Sequence, residues 1–373
     1  MGVMESAPLK HSPLNSFHIG ARAKMANFGG WEMPIEYPAE SGGGVLTEHS
    51  SVRERVGLFD VSHLGKASVL GEGALEFLNL ALTNDLSKIA DGQAQYTMLC
   101  DPKSGGVVDD LIVYRKSPTN FLLVPNAANT AEVVNRLKSQ APKKVTIANQ
   151  HKDYGVIALQ GPLAKEVLKS LGVEVELSYM AFTTGVIASR EVIICRTGYT
   201  GEFGFEILPN WSESSDVWQA LLAEVTKRGG LPAGLGARDT LRTEMGYPLH
   251  GHELSLEITP VQAGANWAVG WSKSNFWGRE VLVNEKTTGP KRLLRGLLLQ
   301  ERGIPRAGMK VFSADHEIGE TTSGTFSPSL KDGIALALMH PNIEIGAEVL
   351  VDIRGKRVRA KVAKPPFLPS HVR

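Results

Sequence analysis

Two adjacent aspartates, Asp109 and Asp110, stand in the middle of an apolar segment, Val107–Tyr114, whose residue types are typical of a β-strand. Successive strand residues face opposite sides, so the two carboxylates point to different faces, and both faces are otherwise apolar. An ionised aspartate is costly to bury unless it is paired or used. Two interpretations stay open: a bulge or strand-end turn that keeps both carboxylates in water, or one carboxylate that faces a cationic or proton-exchanging ligand.

Five further polar residues are candidate ligands: Tyr96, Asn126, Tyr199, Glu206 and Arg238. Tyr96 is predicted to lie across a hairpin from the aspartates, which brings a phenol near a carboxylate. Tyr199 sits in a glycine-bounded loop where backbone can approach a ligand closely, and Glu206 shares a strand face with Gly204, which leaves room for a flat ligand. Taken singly, each residue type more often has a structural role, as a packed tyrosine, a turn asparagine, an exposed glutamate or a surface arginine.

The sequence contains none of the common motifs for cradling nucleotide phosphates or for serine hydrolysis: no Walker loop, no G-x-G-x-x-G and no G-x-S-x-G. The histidines show no metal-ligand spacing. His250 and His252 are too close for a helical pair, and no third ligand stands near them. We therefore predict that the protein binds no metal, flavin or nucleotide.

The composition is ordinary for a soluble globular protein, and the length of 373 residues predicts two or three domains. Lys plus Arg (40) nearly equals Asp plus Glu (39), which argues against nucleic acid or an anionic membrane as a partner. No run approaches about eighteen apolar residues, and Met1–Leu14 lacks a signal-peptide pattern, so we predict no membrane segment. The two cysteines, Cys100 and Cys195, indicate a reducing compartment, and we expect a cytoplasmic location.

Glycine and proline turns divide the chain into short helices and strands, which predicts an α+β fold. Residues 17–38 are expected to be irregular apart from a short strand. Helices are predicted at residues 47–56, 73–82, 130–137, 162–172 and 215–228 and from about residue 237, from capping residues, proline and glycine signals and, at 73–82 and 215–228, from apolar spacing. A change in composition at Asn284–Arg292 predicts a linker. The short β-like segments beyond it predict a small all-β barrel or sandwich.

Six segments, in the same order along the chain, resemble the bacterial type of the aminomethyltransferase (T-protein) family of the glycine cleavage system. They are Phe28–Pro34 (FGGWEMP), Phe59–His63 (FDVSH), Gly105–Val113 (GGVVDDLIV), Thr197–Glu202 (TGYTGE), Gly234–Arg242 (GLGARDTLR) and Thr322–Pro328 (TSGTFSP). Each segment is only moderately specific, but together they extend over essentially the whole chain.

The resemblance implies three domains in a cloverleaf-like arrangement around a central opening. Two mixed α/β domains would contribute a folate site: residues 1–50 and 140–283 would form a discontinuous first domain, and residues 51–139 an inserted second domain that carries Asp109. Residues 293–373 would form the C-terminal all-β barrel-like domain. The implied reaction moves the methylene of aminomethyl-dihydrolipoyl H-protein to tetrahydrofolate, a co-substrate, and releases ammonia and dihydrolipoyl H-protein. The lipoylated H-protein would bind transiently.

The resemblance also implies roles for individual residues. Asp109, the first aspartate of the pair, matches the family's catalytic carboxylate. Glu206 matches the pterin-binding carboxylate, and Arg238 matches a folate-binding arginine. Four more residues match positions in or near the folate pocket: Tyr96, Asn126, Tyr199 and Trp267. The chain departs from many relatives at Leu64, where they carry methionine, which puts in doubt any contact that depends on sulfur.

Two other functions are compatible with this architecture. One is a folate-dependent demethylase of a related substrate such as dimethylsulfoniopropionate; the flavin-linked demethylases are disfavoured because no dinucleotide fingerprint or spare length exists. The other is a non-enzymatic folate-binding factor of iron–sulfur cluster assembly. That group lacks the Asp-Asp strand and carries a cysteine-bearing loop, whereas the comparable segment here, Gly246–Glu253, has no cysteine. Both differences favour the transferase.

Overall fold

A computed structural model describes residues 8–373, and it confirms the predicted α+β class. The strands, in chain order, are β1 (Lys10–His11), β2 (Lys24–Phe28), β3 (Trp31–Glu36), β4 (Gly57–Asp60), β5 (Ala67–Leu70), β6 (Gln93–Cys100), β7 (Val107–Ser117), β8 (Asn120–Val124), β9 (Thr146–Asn149), β10 (Ile157–Gln160), β11 (Phe182–Ile187), β12 (Arg190–Cys195), β13 (Gly204–Pro209), β14 (Leu231–Pro232), β15 (Leu293–Leu299), β16 (Lys310–Ser313), β17 (His316–Ser327), β18 (Asp332–Met339), β19 (Glu348–Ile353) and β20 (Lys356–Ala363).

The α-helices lie between these strands, and most begin close to where the sequence pattern places them. They are α1 (Asn15–Gly20), α2 (Val45–Glu54), α3 (Ala74–Ala81), α4 (Thr130–Gln140), α5 (Ala164–Ser170), α6 (Ser214–Lys227), α7 (Leu235–Met245) and α8 (Arg279–Thr288). Short 3-10 turns cover Ala39–Ser41, Leu86–Lys88, Trp211–Glu213 and Asn266–Ala268.

Two large sheets and a closed barrel make up the architecture. Six strands pair in the order β11-β12-β13-β10-β4-β14, and five strands pair in the order β6-β7-β8-β5-β9. The C-terminal strands close a barrel in the order β15-β18-β17-β16-β19-β20, which confirms the predicted all-β C-terminal domain. A smaller sheet, β1-β3-β2, forms near the N-terminus.

Amphipathic helices cover the two large sheets and bury their apolar sides. On α6, Val217, Leu221 and Val225 recur every four residues, and all three are buried in the core of the six-stranded sheet. On α4, Val133 and Leu137 have the same spacing and pack into the core of the five-stranded sheet. Each large sheet therefore has its own hydrophobic core. This packing makes the sheets rigid supports for the polar site residues that they carry.

Buried charges on α7 join this helix to the barrel. Arg242 donates to Glu253 over 2.9 Å and to the Ser323 hydroxyl of β17 over 2.7 Å. Two residues further on, Glu244 accepts a hydrogen bond from Ser327, also on β17. All of these side chains are buried, and each charge has an ion partner outside the barrel, Glu253 for Arg242 and Arg53 for Glu244. The barrel hydroxyls add a further hydrogen bond to each buried charge.

Two predictions of local structure were wrong. Residues 284–292, predicted to be a linker, overlap α8, which ends at Thr288. Leu282 is the buried residue of that helix, so its sequence carries little apolar periodicity for a prediction to use. Residues 17–38 are also more regular than expected, because they contain the end of α1 and the strands β2 and β3.

The domain boundaries remain a prediction. Two strands nevertheless pair with strands that the prediction assigns to the other domain. Strand β4, placed by the prediction in the inserted domain (51–139), lies between β10 and β14 in the six-stranded sheet. Strand β9, placed in the discontinuous domain (140–283), pairs with β5 of the five-stranded sheet. Residues 1–7 of the first predicted domain lie outside the described residues.

Candidate active site

The β6–β7 hairpin places both aspartates beside the loop that follows α7. In the antiparallel register, Asp109 lies opposite Leu99 of β6. The strand is held at its start because the Val107 amide donates to the Ser255 carbonyl over 2.8 Å. Just before it, Gly106 lies so close to this loop that a Cβ atom would stand 1.9 Å from the Leu256 carbonyl oxygen. Only glycine fits there, which explains the glycine that opens the aspartate strand.

Asp109 is fully buried, and three N–H donors bind its carboxylate. The Asn126 amide N–H donates to Oδ2 over 2.9 Å, and the Asn126 side chain lies 2.9 Å from Oδ1. The Asn129 side chain donates to Oδ1 over 2.7 Å. Burial, and then the negative charge of Asp110, raise the pKa of Asp109 to about 7, although the three donors oppose the rise. The carboxyl group therefore changes its protonation state near neutral pH.

Asp110 is half-buried on the other face of the strand, beside an aromatic pair. The Tyr96 hydroxyl donates to its Oδ2 over 3.0 Å, and the Asn126 side-chain nitrogen lies 2.8 Å from its Oδ1, so Asn126 bridges the two aspartates. Burial raises the pKa of Asp110, and the hydrogen bond from Tyr96 acts against the rise. The Tyr96 ring stacks on Trp267 with centroids 5.1 Å apart, and Trp267 is 68% exposed. The pair forms an aromatic surface next to two carboxyl groups.

Tyr199, Arg238 and Glu206 form a second group next to the first. The Arg238 guanidinium lies 4.5 Å from the centroid of the Tyr199 ring, a cation–π contact. Burial raises the pKa of Tyr199, the charge of Arg242 opposes the rise, and the charge of Asp110 adds to it. Glu206 is buried and accepts a hydrogen bond from the Thr197 hydroxyl over 2.5 Å.

A cavity of about 520 Å³ lies between this second group and the barrel. Its lining includes Tyr199, Arg238 and Arg242 from the mixed part of the chain and Arg306 and Gly324 from the barrel. Within residues 8–373 the Arg238 guanidinium makes no ion pair, so a cation with unused donors faces this space. The cavity is therefore suited to a ligand that presents an anionic or carbonyl oxygen to Arg238.

No group of three or more His, Cys, Asp or Glu side chains in the described part of the chain is arranged to hold a metal ion. No helix within residues 8–373 is both long enough and apolar enough to cross a membrane.

Comparison with known proteins gives a family for this arrangement. Residues 14–273 match the GCVT N-terminal domain, and residues 292–368 match the glycine cleavage T-protein C-terminal barrel domain. The chain is 56% identical over 366 residues to an aminomethyltransferase of Parafrankia sp., covering 98% of this chain and 99% of that protein. It is 53% identical over 367 residues to an aminomethyltransferase of Mycobacterium tuberculosis, covering 98% of each. The crystal structure of glycine cleavage system aminomethyltransferase T from Bartonella henselae superposes with a TM-score of 0.89 at 35% identity, covering 97% of this chain and 99% of that chain.

The chain belongs to the aminomethyltransferase (T-protein) family of the glycine cleavage system. This confirms the resemblance drawn from the six sequence segments, and it places the chain in a family of enzymes. The folate-binding and catalytic roles of individual residues stay predictions, which the geometry above makes testable.

One of the family-like segments, Phe59–His63, has a structural role at its aspartate. Asp60 is buried, and its carboxylate lies 2.8 Å from His18 Nε2 and accepts hydrogen bonds from the Ser12 hydroxyl and the Ser62 amide. These partners outweigh burial and lower the pKa of Asp60 to about 2, with the His18 hydrogen bond the largest of them. Asp60 thus stays ionised and ties α1 to β4.

The structure brings the predicted site residues into two adjoining groups: Asp109, Asn126, Tyr96 and Trp267 in one, and Tyr199, Arg238 and Glu206 in the other. Sequence reasoning missed Asn129, His250 and Thr197. Asn129 could have been predicted from the sequence, because it lies three residues after the candidate Asn126, immediately before the predicted helix α4. His250 was considered only as a metal ligand, and nothing in the sequence indicated that it lies beside Asn129.

Proposed function

We propose that this chain is a tetrahydrofolate-dependent aminomethyltransferase. It moves the methylene carbon of an aminomethyl group, carried on the dihydrolipoyl arm of H-protein, to tetrahydrofolate, and it releases ammonia and dihydrolipoyl H-protein. Family membership supports the class of enzyme. The observation that carries the rest is Asp109, a buried carboxyl group held by three N–H donors and titrating near neutral pH.

Asp109 has the chemistry that such a transfer needs. The carbon develops cationic, iminium-like character as it leaves the lipoyl sulfur, and a fixed carboxylate in a water-poor site stabilises that charge. The donors from Asn126 and Asn129 already hold the carboxylate, so little reorganisation accompanies the reaction. Because its pKa lies near 7, Asp109 also suits a proton-transfer role.

The second group fits a folate. Tetrahydrofolate supplies the nucleophilic nitrogens that take the carbon. Glu206 accepts one hydrogen bond, from Thr197, among the described residues, so its carboxylate retains acceptor capacity for the parallel N–H donors of a pterin edge. Arg238 offers donors to an anionic or carbonyl oxygen in the adjoining cavity. The Tyr96–Trp267 pair offers an apolar face for a flat ring.

We further infer that H-protein binds transiently, because its lipoyl arm has to enter and leave the site at each turnover. The predicted cytoplasmic location stays part of this proposal. Its support is that both cysteines, Cys100 and Cys195, are free thiols buried in the fold.

The deciding experiment measures ammonia and methylene-tetrahydrofolate formed from aminomethyl-loaded H-protein. The wild type is expected to form both products, whereas Asp109→Asn should lose most of the rate while retaining folate binding. Asp315→Asn, an exposed aspartate on a barrel turn, is the matched control and should be fully active. If the wild type binds tetrahydrofolate but transfers nothing, the substrate is wrong and a demethylase becomes the better reading. If Asp109→Asn transfers normally, the role given to Asp109 is wrong.

A further inference from the structure

His250 lies in a loop that is fixed on both sides of it. The preceding amide, Leu249 N–H, donates to Glu253 over 3.0 Å, and Glu253 is the buried partner of Arg242. On the other side, the Ser255 carbonyl accepts from the Val107 amide over 2.8 Å. The imidazole is therefore held against the start of the aspartate strand.

The two ring nitrogens of His250 have partners of opposite kinds. Nε2 lies 3.2 Å from the Val107 carbonyl oxygen, and Nδ1 lies 3.0 Å from the side-chain nitrogen of Asn129. A carbonyl oxygen only accepts, so Nε2 carries the hydrogen. An amide nitrogen only donates, so Nδ1 accepts. The contacts therefore select the neutral imidazole with its hydrogen on Nε2.

The Val107 contact alone places the hydrogen of the neutral ring on Nε2, and the bare Nδ1 in turn favours the Asn129 orientation that presents an N–H to it. One N–H of Asn129 donates to His250, and the other donates to Asp109 Oδ1 over 2.7 Å. In the reversed orientation, the amide oxygen would face the lone pair of His250 Nδ1 and, when Asp109 is ionised, the Asp109 carboxylate as well, which places acceptors against acceptors. His250 thereby makes the reversed orientation unfavourable and keeps a donor on Asp109.

We propose that His250 is a positioning residue that acts through Asn129 to hold a hydrogen-bond donor on the Asp109 carboxylate. The inference rests on the function proposed above, because it assigns His250 to the same reaction. His250 would not touch the reacting atoms. His250 would instead help to fix the orientation of the Asp109 carboxylate, which faces the reacting atoms.

The replacements of His250 differ in which contact they retain. His250→Leu removes both contacts and is expected to lower kcat by about 10- to 100-fold, the effect of losing one hydrogen bond to a charged group, with little change in KM for folate. In His250→Asn the amide oxygen can take the place of Nδ1 and accept from Asn129, so this variant should recover most of the lost rate. His316→Leu, an exposed histidine on the barrel, is the matched control.

A double-mutant cycle tests whether His250 acts through Asn129. If it does, His250→Leu combined with Asn129→Ala should be no slower than Asn129→Ala alone, because the donor is already absent. The proposal is overturned if the two losses multiply, or if His250→Leu alone leaves kcat unchanged. Thermal melting and folate titration of every variant separate these results from misfolding.

A second measurement does not depend on turnover. The nitrogen chemical shifts of the His250 ring should report the neutral form with hydrogen on Nε2 at about pH 7.5, and Asn129→Ala should shift the Nδ1 signal. A wild-type ring with its hydrogen on Nδ1 would overturn the proposal even if the enzyme is active. If these shifts are as expected and the wild type catalyses no transfer, the proposed reaction fails while the His250–Asn129 contact stands.

Discussion

The raised pKa of Asp109 makes stability depend on pH in the direction opposite to that of a salt-bridged aspartate. Burial, with the charge of Asp110, raises this pKa from 3.8 to about 7. The folded chain therefore keeps a proton that the unfolded chain releases near pH 4. The stabilisation from that proton is complete below about pH 4 and is lost as the pH rises through about 7.

The size of the effect follows from the shift of about three pKa units. At about 1.4 kcal/mol per unit, the free energy of unfolding falls by roughly 4 kcal/mol between these limits. With an unfolding entropy of about 2.1 cal/mol/K per residue, a chain of 373 residues would lose about 5 °C in Tm. The interaction with Asp110 spreads the change over a wider pH range but does not alter its sign.

Asp109→Asn removes the titrating group and therefore the pH dependence that it causes. The new amide replaces one carboxylate oxygen by NH₂. Placed at Oδ2, where it meets the fewest donors, this NH₂ faces the Asn126 backbone N–H, donor against donor, which costs about 1–3 kcal/mol at every pH. The variant should thus be less stable than the wild type at acidic pH. As the pH rises to alkaline values, the difference in unfolding free energy between the two proteins should shift by roughly 4 kcal/mol in favour of the variant, because only the wild type loses stability.

Calorimetric melting of the wild type and Asp109→Asn from about pH 4.5 to pH 8.5 measures this difference. Asp315→Asn, whose carboxylate is exposed, serves as the control and should follow the wild type at each pH. A Tm difference between wild type and Asp109→Asn that stays constant over this range would refute the reasoning, because it would mean that Asp109 is ionised in the folded protein throughout.

Two further predictions concern buried carboxylates with different roles. Glu206→Gln should weaken tetrahydrofolate binding by about 10- to 100-fold through loss of charge-assisted hydrogen bonds, as titration calorimetry would measure, and Glu191→Gln on the exposed side of β12 should not. Equal affinities would remove Glu206 from the folate site. Asp60→Asn should destabilise the protein by about 2 kcal/mol above pH 4, because the wild-type pKa is lowered to about 2. The difference in unfolding free energy between the wild type and Asp60→Asn should vanish as the pH falls toward 2. A difference that persists at pH 2 in urea unfolding would contradict this account.

The aspartate hairpin was predictable from the sequence because its determinants are local. Strand-forming residues on both sides of the 102–106 turn specify an antiparallel pair, and the pair brings Tyr96 next to Asp110. The position of Asn126 after β8 was also visible. Its function was not, because one asparagine at a strand end is usually a turn residue, and the contact with both aspartates depends on how β7 and β8 pair.

The parts that sequence reasoning missed depend on contacts between distant segments. His250 and Asn129 are separated by 121 positions and meet only after the loop behind α7 has folded onto β7. Strands β4 and β9 join sheets on the far side of the predicted domain boundaries, and no short-range pattern records that pairing. Helix α8 buries too little apolar surface to leave a periodic signal.

The junction between α7 and the barrel constrains how this protein can be recombined with its relatives. Arg242 and Glu244 place opposite charges in the interior, and the hydroxyls of Ser323 and Ser327, contributed by the barrel, hydrogen-bond to them. In a chimera with a foreign barrel, Arg242 and Glu244 would keep their ion partners Glu253 and Arg53. A barrel without hydroxyls at these two places would still leave each buried charge short of one hydrogen bond, which costs about 1.5–3 kcal/mol each. Because α7 also carries Arg238, a poorly matched barrel would disturb the cavity, even though most of the site residues belong to the rest of the chain.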